Sequence, residues 1–238
     1  MPEAITGMDE LVAQDTSWAP HAHPTHELLW NARGASLLRV GPRAWTITPG
    51  LGMWVPAGTV HTGFAPEGTW YRAAQFSIEV APTLADGPVA VEITPLLRLL
   101  LTRLDEALDP ASRRLTEAMI IDVLRPSPTQ LLVVTPAAPI LAPIVAALET
   151  DPSDGRTLAG WAAELGASER TLTRAFHRDA GMSFLGWRAQ VRAQRAIALL
   201  AEGLDPEDVA GLVGYRSLSA FGAALRRTTG LTPGAFRP

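Results

Sequence analysis

Apolar and polar positions change rhythm twice along this chain. In the amino third, short apolar runs at 36–40, 44–48, 53–55, 60–64 and 70–78 are cut by Gly/Pro turns: GPR at 41–43, PGLG at 49–52, PAG at 56–58 and APEG at 65–68. Short, closely spaced strands of this kind predict a sandwich or small barrel. From Thr94 the rhythm is helical. Thr94-Pro95 reads as an N-cap and a first-turn proline, and Leu96, Leu97, Leu100, Leu101, Leu104 and Leu108 follow at helical spacing. Asp109-Pro110 ends that helix, 111–124 forms another, and Arg125-Pro-Ser-Pro128 closes the pair. Such an apolar hairpin either caps the barrel or pairs two subunits. A short strand at 131–134, a hinge at 136–139 and a helix at 140–149 lead into the carboxy-terminal region.

That region writes one pattern twice. LAGWAAELGASERTLTRAFHRDAGMSFLGWR (158–188) and PEDVAGLVGYRSLSAFGAALRRTTGLTPGAFR (206–237) share a small residue (Ala162, Ala210), a turn glycine (Gly166, Gly214), a cap serine (Ser168, Ser217) and a closing glycine (Gly181, Gly230). From Gly166 to Gly214 the offset is 48 residues and from Gly181 to Gly230 it is 49, so the second turn is one residue longer. Each copy predicts a helix-turn-helix. In the first, Leu172, Ala175 and Phe176 pack inward, leaving Arg170, Thr171, Thr173, Arg174 and Arg178 on or near the outer face. Arginines and hydroxyls near the start of a recognition helix suit base edges and phosphates in a major groove. In the second, Asp205 is the expected N-cap before Pro206, and Ser217 caps the recognition helix. Its outward positions are Leu218, Ser219, Gly222 and Ala223, with Arg226 and Arg227 a turn later. The first helix is therefore expected to read bases. The second is expected to clamp phosphates, with limited apolar readout of thymine methyls. One helix over 183–201 joins the units; at ~1.5 Å rise per residue it spans roughly 28 Å, near the ~34 Å between successive major-groove faces. Arg188, Arg192 and Arg195 lie along it, either on phosphates or in solvent.

Charge agrees with this division. The 238-residue chain has a formal net charge of −4, with every basic residue an arginine. Residues 1–138 hold 9 Arg against 14 Asp+Glu, whereas 156–238 hold 11 Arg against 7. The basic end is the end with the repeat, which is what phosphate attraction requires. The absence of cysteine excludes disulfides and thiolate metal sites. No apolar run is long enough for a bilayer, and Met1 to Asp15 lacks the basic-then-apolar order of a secretory signal, so a cytoplasmic location is expected.

Residues 140–238 resemble the DNA-binding domain of the AraC family of transcription regulators. The match rests on A-x-x-x-G-Y-x-S…F…L-R-R-x-x-G-x-T-P-x-x-F-R, from Ala210 to Arg237. The resemblance implies that the amino-terminal parts of both recognition helices meet DNA: Arg170, Thr173 and Arg174, then Leu218, Ser219, Gly222 and Ala223. The last two depart from the polar residues often found there.

His21, His23 and Glu27 have one parity, and on a single extended strand would share a face; His26 has the other. His61 follows the tight turn at 56–58. Three imidazoles and a carboxylate suit a divalent transition metal. The spacings His21-x-His23-x3-Glu27-x6-Gly34 and Gly50-x5-Pro56-x-Gly58-x2-His61 resemble the two motifs of the cupin superfamily, with Ala65 where the second motif ends in Asn. The resemblance implies a cupin sensor in which these residues either hold a metal or form a polar, hydrogen-bonded mouth. Trp18, Trp30, Trp45, Trp54 and Trp70 either line an effector pocket or pack in the core. No nucleophile–base spacing stands out.

The expected protein is α+β with two domains. A cupin-like β-barrel (1–93) is followed by a helical hairpin and linker (94–138) suited to dimerisation, then an all-α double helix-turn-helix (139–238). The expected function is a one-component regulator in which a small molecule or metal controls promoter binding. Its partners would be double-stranded promoter DNA, an effector, a second copy of the chain and RNA polymerase, with no membrane. The rival readings are a metal-dependent cupin enzyme carrying a DNA module, and a constitutive DNA-binding protein whose barrel is only a scaffold.

Overall fold

The computed structural model describes residues 4–237. The chain divides into two compact units: residues up to Val40 with Ile47–Gln130, and Gly41–Thr46 with the chain from Leu131 onward.

In the first unit, β1 (Ile5–Leu11), β8 (Trp70–Phe76), β3 (His26–Arg33), β6 (Leu51–Val55) and β9 (Val89–Glu92) form one antiparallel sheet in that order. Opposite it, β2 (Thr16–His21) pairs with β7 (His61–Ala65), and β7 pairs with β4 (Ser36–Val40), as part of a second five-stranded sheet. The result is a cupin-like antiparallel sandwich. β3 is buried from His26 through Asn31. A strand covered on both faces loses polar alternation, which is why this run carries no period-2 signal. Glu27 and Leu29 face the space between the sheets. Leu28 and Trp30 face the other way and pack with Leu97, Leu101 and Ile120.

Those last residues come from α1 (Pro95–Arg103) and α2 (Pro110–Val123), capped by Thr94 onto the Leu97 N–H and by Asp109 onto the Ala111 and Ser112 N–H groups. The hairpin covers the first sheet with one side and leaves Leu96, Leu99, Leu115 and Met119 exposed on the other. α1 stops at Arg103, short of the Leu108 that its leucine spacing implies. The chain turns there as Asp105 pairs with Arg72 of β8 at 2.5 Å.

In the second unit, β5 (Arg43–Ile47) pairs through Arg43, Ala44 and Trp45 with β10 (Leu132–Val134). The helices α3 (Ala142–Thr150), α4 (Leu158–Glu164), α5 (Glu169–Ala180), α6 (Phe184–Ala201), α7 (Pro206–Leu212) and α8 (Leu218–Thr229) follow, with a closing 3-10 turn at Pro233–Phe236. One core joins Ile144 and Leu148 of α3, Trp161 of α4, Leu172 and Phe176 of α5, and Trp187 of α6. Ser168, Ser183 and Ser217 each accept an N–H of the following helix, as expected of caps. Asp205 holds the N-cap position of α7 but makes no capping bond. Its Oδ1 instead accepts the Arg237 Nη2–H at 3.2 Å, fastening the closing motif to the start of α7. Among the described residues no helix is long and apolar enough to cross a membrane.

Candidate DNA interface and sensor cavity

Each recognition helix is positioned by its turn. Gly166 (φ +61°) and Gly214 (φ +79°) reverse the chain in the left-handed region that only glycine enters without strain. The stretch between helices is one residue longer in the second unit. On α5, Leu172, Ala175 and Phe176 are buried, Arg170, Thr171 and Arg174 are exposed, and Thr173 is half-buried. Thr171 also bonds Ser168 through their hydroxyls, at 2.9 Å. Arg178 is exposed, yet its Nε donates to Asp179 at 2.6 Å, so its charge is already shared. On α8, Leu218, Ser219, Ala223, Arg226 and Arg227 are exposed, Gly222 is half-buried, and Ser217 serves as the cap. Arg216, exposed just before that cap, was not singled out in the sequence. It lies in the turn, outside the helical periodicity that marks the other basic positions.

The arginines of α6 divide. Arg195 is exposed. Arg188 is half-buried over the Phe184 ring and donates to the Arg156 carbonyl at 3.0 Å. Burial, then the neighbouring charge of Arg192, depresses its pKa. Arg192 is buried, so the choice between phosphate and solvent was wrong for it: it serves neither.

Between the two sheets of the first unit lies a cavity of about 740 Å³. Its polar end gathers His21, His23, Glu27 and His61, but from different elements than the parity argument assumed. His21 ends β2, His23 lies in the following turn, Glu27 is on β3 and His61 opens β7. The turn containing Pro24 breaks the single strand that 21–27 was expected to form. His26 still points away: it packs on Trp54, and its Nδ1 accepts the Ala57 N–H at 3.0 Å.

His21 Nδ1–H donates to the Ala19 carbonyl at 2.7 Å and His61 Nδ1–H to that of Thr59 at 2.9 Å. A carbonyl only accepts, so both Nδ1 atoms carry the proton, and each neutral ring has its Nε2 lone pair free. One ligand nitrogen from each of His21, His23 and His61 lies within 4.8 Å of the others. Glu27 Oε1 accepts Gln75 Nε2 at 2.6 Å, and Gln75 is itself bonded by the Thr25 hydroxyl. Glu27 Oε2 is buried without a hydrogen-bond partner among the described residues; His61 Nε2 stands 3.4 Å away, out of line. Burial opposes charge on His61, but the Glu27 carboxylate and the Thr59 carbonyl outweigh it and raise its pKa. Burial, with the Glu27 and Glu10 carboxylates nearby, raises that of Tyr71.

The wider part of the cavity is apolar, with Met8, Trp18, Leu29, Leu38 and Ile47 in its wall. Trp18 stacks on Tyr71, ring centroids 5.1 Å apart. Of the tryptophans named from sequence, Trp18 alone lines this space. Trp30 and Trp54 pack on the helix side, Trp45 is buried, and Trp70 is exposed, its indole bonded to Asp9. Gln75 and Tyr71 escaped the sequence reading because only the β3–β8 register, with Glu27 opposite Gln75, brings them to the site.

Comparison with known proteins agrees with both halves. The AraC-like ligand binding domain matches residues 10–127 and a helix-turn-helix domain matches 161–238. The HTH-type transcriptional regulator NimR of Escherichia coli is 26% identical over 238 residues, covering 97% of this chain and 84% of that protein. The HTH-type transcriptional regulator RipA of Corynebacterium glutamicum is 39% identical over 106 residues, covering 42% of this chain and 32% of that protein. Among solved structures, the C-terminal domain of AraT, a response regulator from Geobacillus stearothermophilus, is 26% identical, covers 42% of this chain and 84% of that chain, and has a TM-score of 0.40. With a ligand-binding sandwich ahead of two helix-turn-helix units, each half matched by its own domain family, the chain belongs to the AraC family of transcription regulators.

Proposed function

We propose that α5 reads promoter sequence through Arg170, Thr171, Thr173 and Arg174, with Arg178 beside them. In this reading Ser217, Leu218 and Ser219 of the second unit make shallow contacts, while Arg226 and Arg227 hold phosphates. The observation that carries it is the contrast between outer faces: two exposed arginines near the start of α5, and Leu218, Ser219 and Ala223 near the start of α8. In the double variant Arg170→Ala/Arg174→Ala, promoter affinity should fall while the far-UV spectrum and melting temperature stay unchanged. Unchanged sequence-specific affinity would overturn the assignment.

The cavity is proposed as the effector site. Ligand binding there shifts the population of DNA-competent arrangements in proportion to its differential affinity for the two states. Its polar end also fits a divalent transition metal. An orphaned carboxylate oxygen and two histidines held by backbone carbonyls through Nδ1 are what such an ion asks of its ligands and their supports. His21, His23, His61 and Glu27 would hold the ion, which when bound offers a Lewis-acidic coordination position to a donor atom of the effector. Gln75 orients Glu27, and Trp18 and Tyr71 form the aromatic wall.

Sensing is likewise proposed for 1–93, subunit pairing for 94–138 through Leu96, Leu99, Leu115 and Met119, and DNA binding for 139–238, in a cytoplasmic homodimer that meets RNA polymerase at the promoter. Catalysis has no part in this reading. Turnover by metal-loaded protein would favour a cupin enzyme instead.

A further inference from the structure

Arg192 occupies the middle of α6, the helix shared by both helix-turn-helix units, and is 8% exposed. Its guanidinium bonds backbone carbonyls only. Nε donates to Pro152 at 2.8 Å, Nη2 to Ser153 at 3.3 Å and to Asp154 at 3.1 Å, and Nη1 to Gly214 at 3.2 Å. The Tyr215 ring lies 5.4 Å from its centre. A buried guanidinium is tolerable when its fork of donors is filled, and here the acceptors come from two places. Pro152, Ser153 and Asp154 lie in the loop between α3 and α4, which leads into the first helix-turn-helix. Gly214 is the turn of the second.

The two glycine turns differ in the same respect. A Cβ added at Gly166 would meet nothing within 4 Å. At Gly214 it would sit 2.7 Å from Arg192 Nη2, 2.8 Å from Ser153 Cα and 2.9 Å from the Ser153 carbonyl oxygen. Gly166 is needed for its backbone angle alone, whereas Gly214 also lets the second turn lie against the α3–α4 loop. A helix shared by two units fixes their separation along its axis but does not by itself prevent rotation about it. The Arg192 fork is a hydrogen-bonded contact that spans both units, beside the packing of Gly214 on Ser153.

We infer that Arg192 is a positioning residue that fixes the angle between the two recognition helices, and thereby the spacing and phase of the two DNA half-sites that the chain accepts. It touches no DNA in this role; it acts through Gly214 and the α3–α4 loop.

The test uses the full chain. An operator is first selected from random duplexes. Affinity is then measured for that duplex, for one with the second half-site scrambled, and for one with about half a helical turn (roughly 5 bp) inserted between half-sites. The wild-type chain should bind the altered duplexes roughly fourfold more weakly than the intact one, the size set by the limited apolar readout assigned to the second helix. Arg192→Lys keeps the charge but not the fork. It should bind the single half-site as the wild type does, yet lose at least about two-thirds of the preference for the intact duplex, since one ammonium cannot satisfy four carbonyls. Arg192→Met should remove the preference entirely if it folds. An Arg192→Lys chain with the wild-type preference, or a wild-type chain indifferent to half-site phase, would overturn the inference. Equal weakening on single and double half-sites would also overturn it, because that is the signature of a general structural role.

Discussion

The indole of Trp18 lies so close over Gly63 that a Cβ at position 63 would sit 2.9 Å from Trp18 Cε3. Gly63 therefore sets how near the Trp18–Tyr71 stack stands to the β7 wall of the sensor cavity. Gly63→Val should displace the indole at a cost of about 1–3 kcal/mol, the usual range for forcing volume into a packed site. Urea unfolding checks the cost, and near-ultraviolet circular dichroism checks the ring stack. DNA affinity without effector should be unchanged. An unaltered aromatic spectrum would contradict the contact.

Leu218 is the large apolar side chain exposed at the start of α8. If it covers a thymine methyl, replacing thymine by uracil in the operator should cost about 0.8 kcal/mol for each methyl-sized group uncovered, roughly fourfold in affinity. Leu218→Ser should be indifferent to that replacement. Equal sensitivity in both chains would place the methyl contact elsewhere.

Arg226 and Arg227 are proposed to neutralise phosphates. Arg226→Ala/Arg227→Ala should weaken binding to specific and random duplexes alike, and reduce the slope of log affinity against log salt by roughly 1 per lost contact. Fluorescence anisotropy over a salt series reads this directly. An unchanged slope would remove both residues from the backbone.

The purified chain, incubated with zinc or nickel and then dialysed, should retain about one ion, as three imidazoles and a carboxylate imply. Chelation should lower its melting temperature, and Glu27→Gln with His61→Ala should abolish both retention and shift. Elemental analysis decides this. Failure to retain metal would remove the ion while leaving the cavity open to an organic effector.

Asp179 accepts Arg178 Nε–H and the Ala138 N–H, both at 2.6 Å. The Arg178 bond, with Ala138 adding to it, holds its pKa below the usual carboxylate value. Since the folded-state pKa is the lower one, its contribution to stability is present above the unfolded value of about 3.9 and is lost as pH falls through the folded pKa. Asp179→Asn should melt below wild type near neutrality, and the two curves should converge in acid. Parallel curves across that range would show that the pairing carries no pH dependence.

The double helix-turn-helix was legible because its signals are local: cap serines, turn glycines and inward apolar positions recur at fixed spacing in both copies. The strands after Gly34 were legible for a similar reason, being bounded by Gly/Pro turns. β1, β3 and β9 were not. β3 is covered on both faces, so His26, Glu27 and Asn31 are buried beside Leu28, Leu29 and Trp30 and no polar alternation marks the strand; β1 follows no turn signal. The four polar residues singled out by motif do lie together at the cavity, but a turn and two sheets bring them there rather than one strand. Arg192 was misread because helical position says where a side chain starts, not which carbonyls surround its end.

β3 has a mechanical consequence. One backbone carries two rows of side chains, Glu27 and Leu29 toward the cavity, Leu28 and Trp30 toward α1 and α2. It is a party wall. If the cavity takes an effector as proposed, a guest that pushes on Glu27 would press on the same strand that seats α1 and α2.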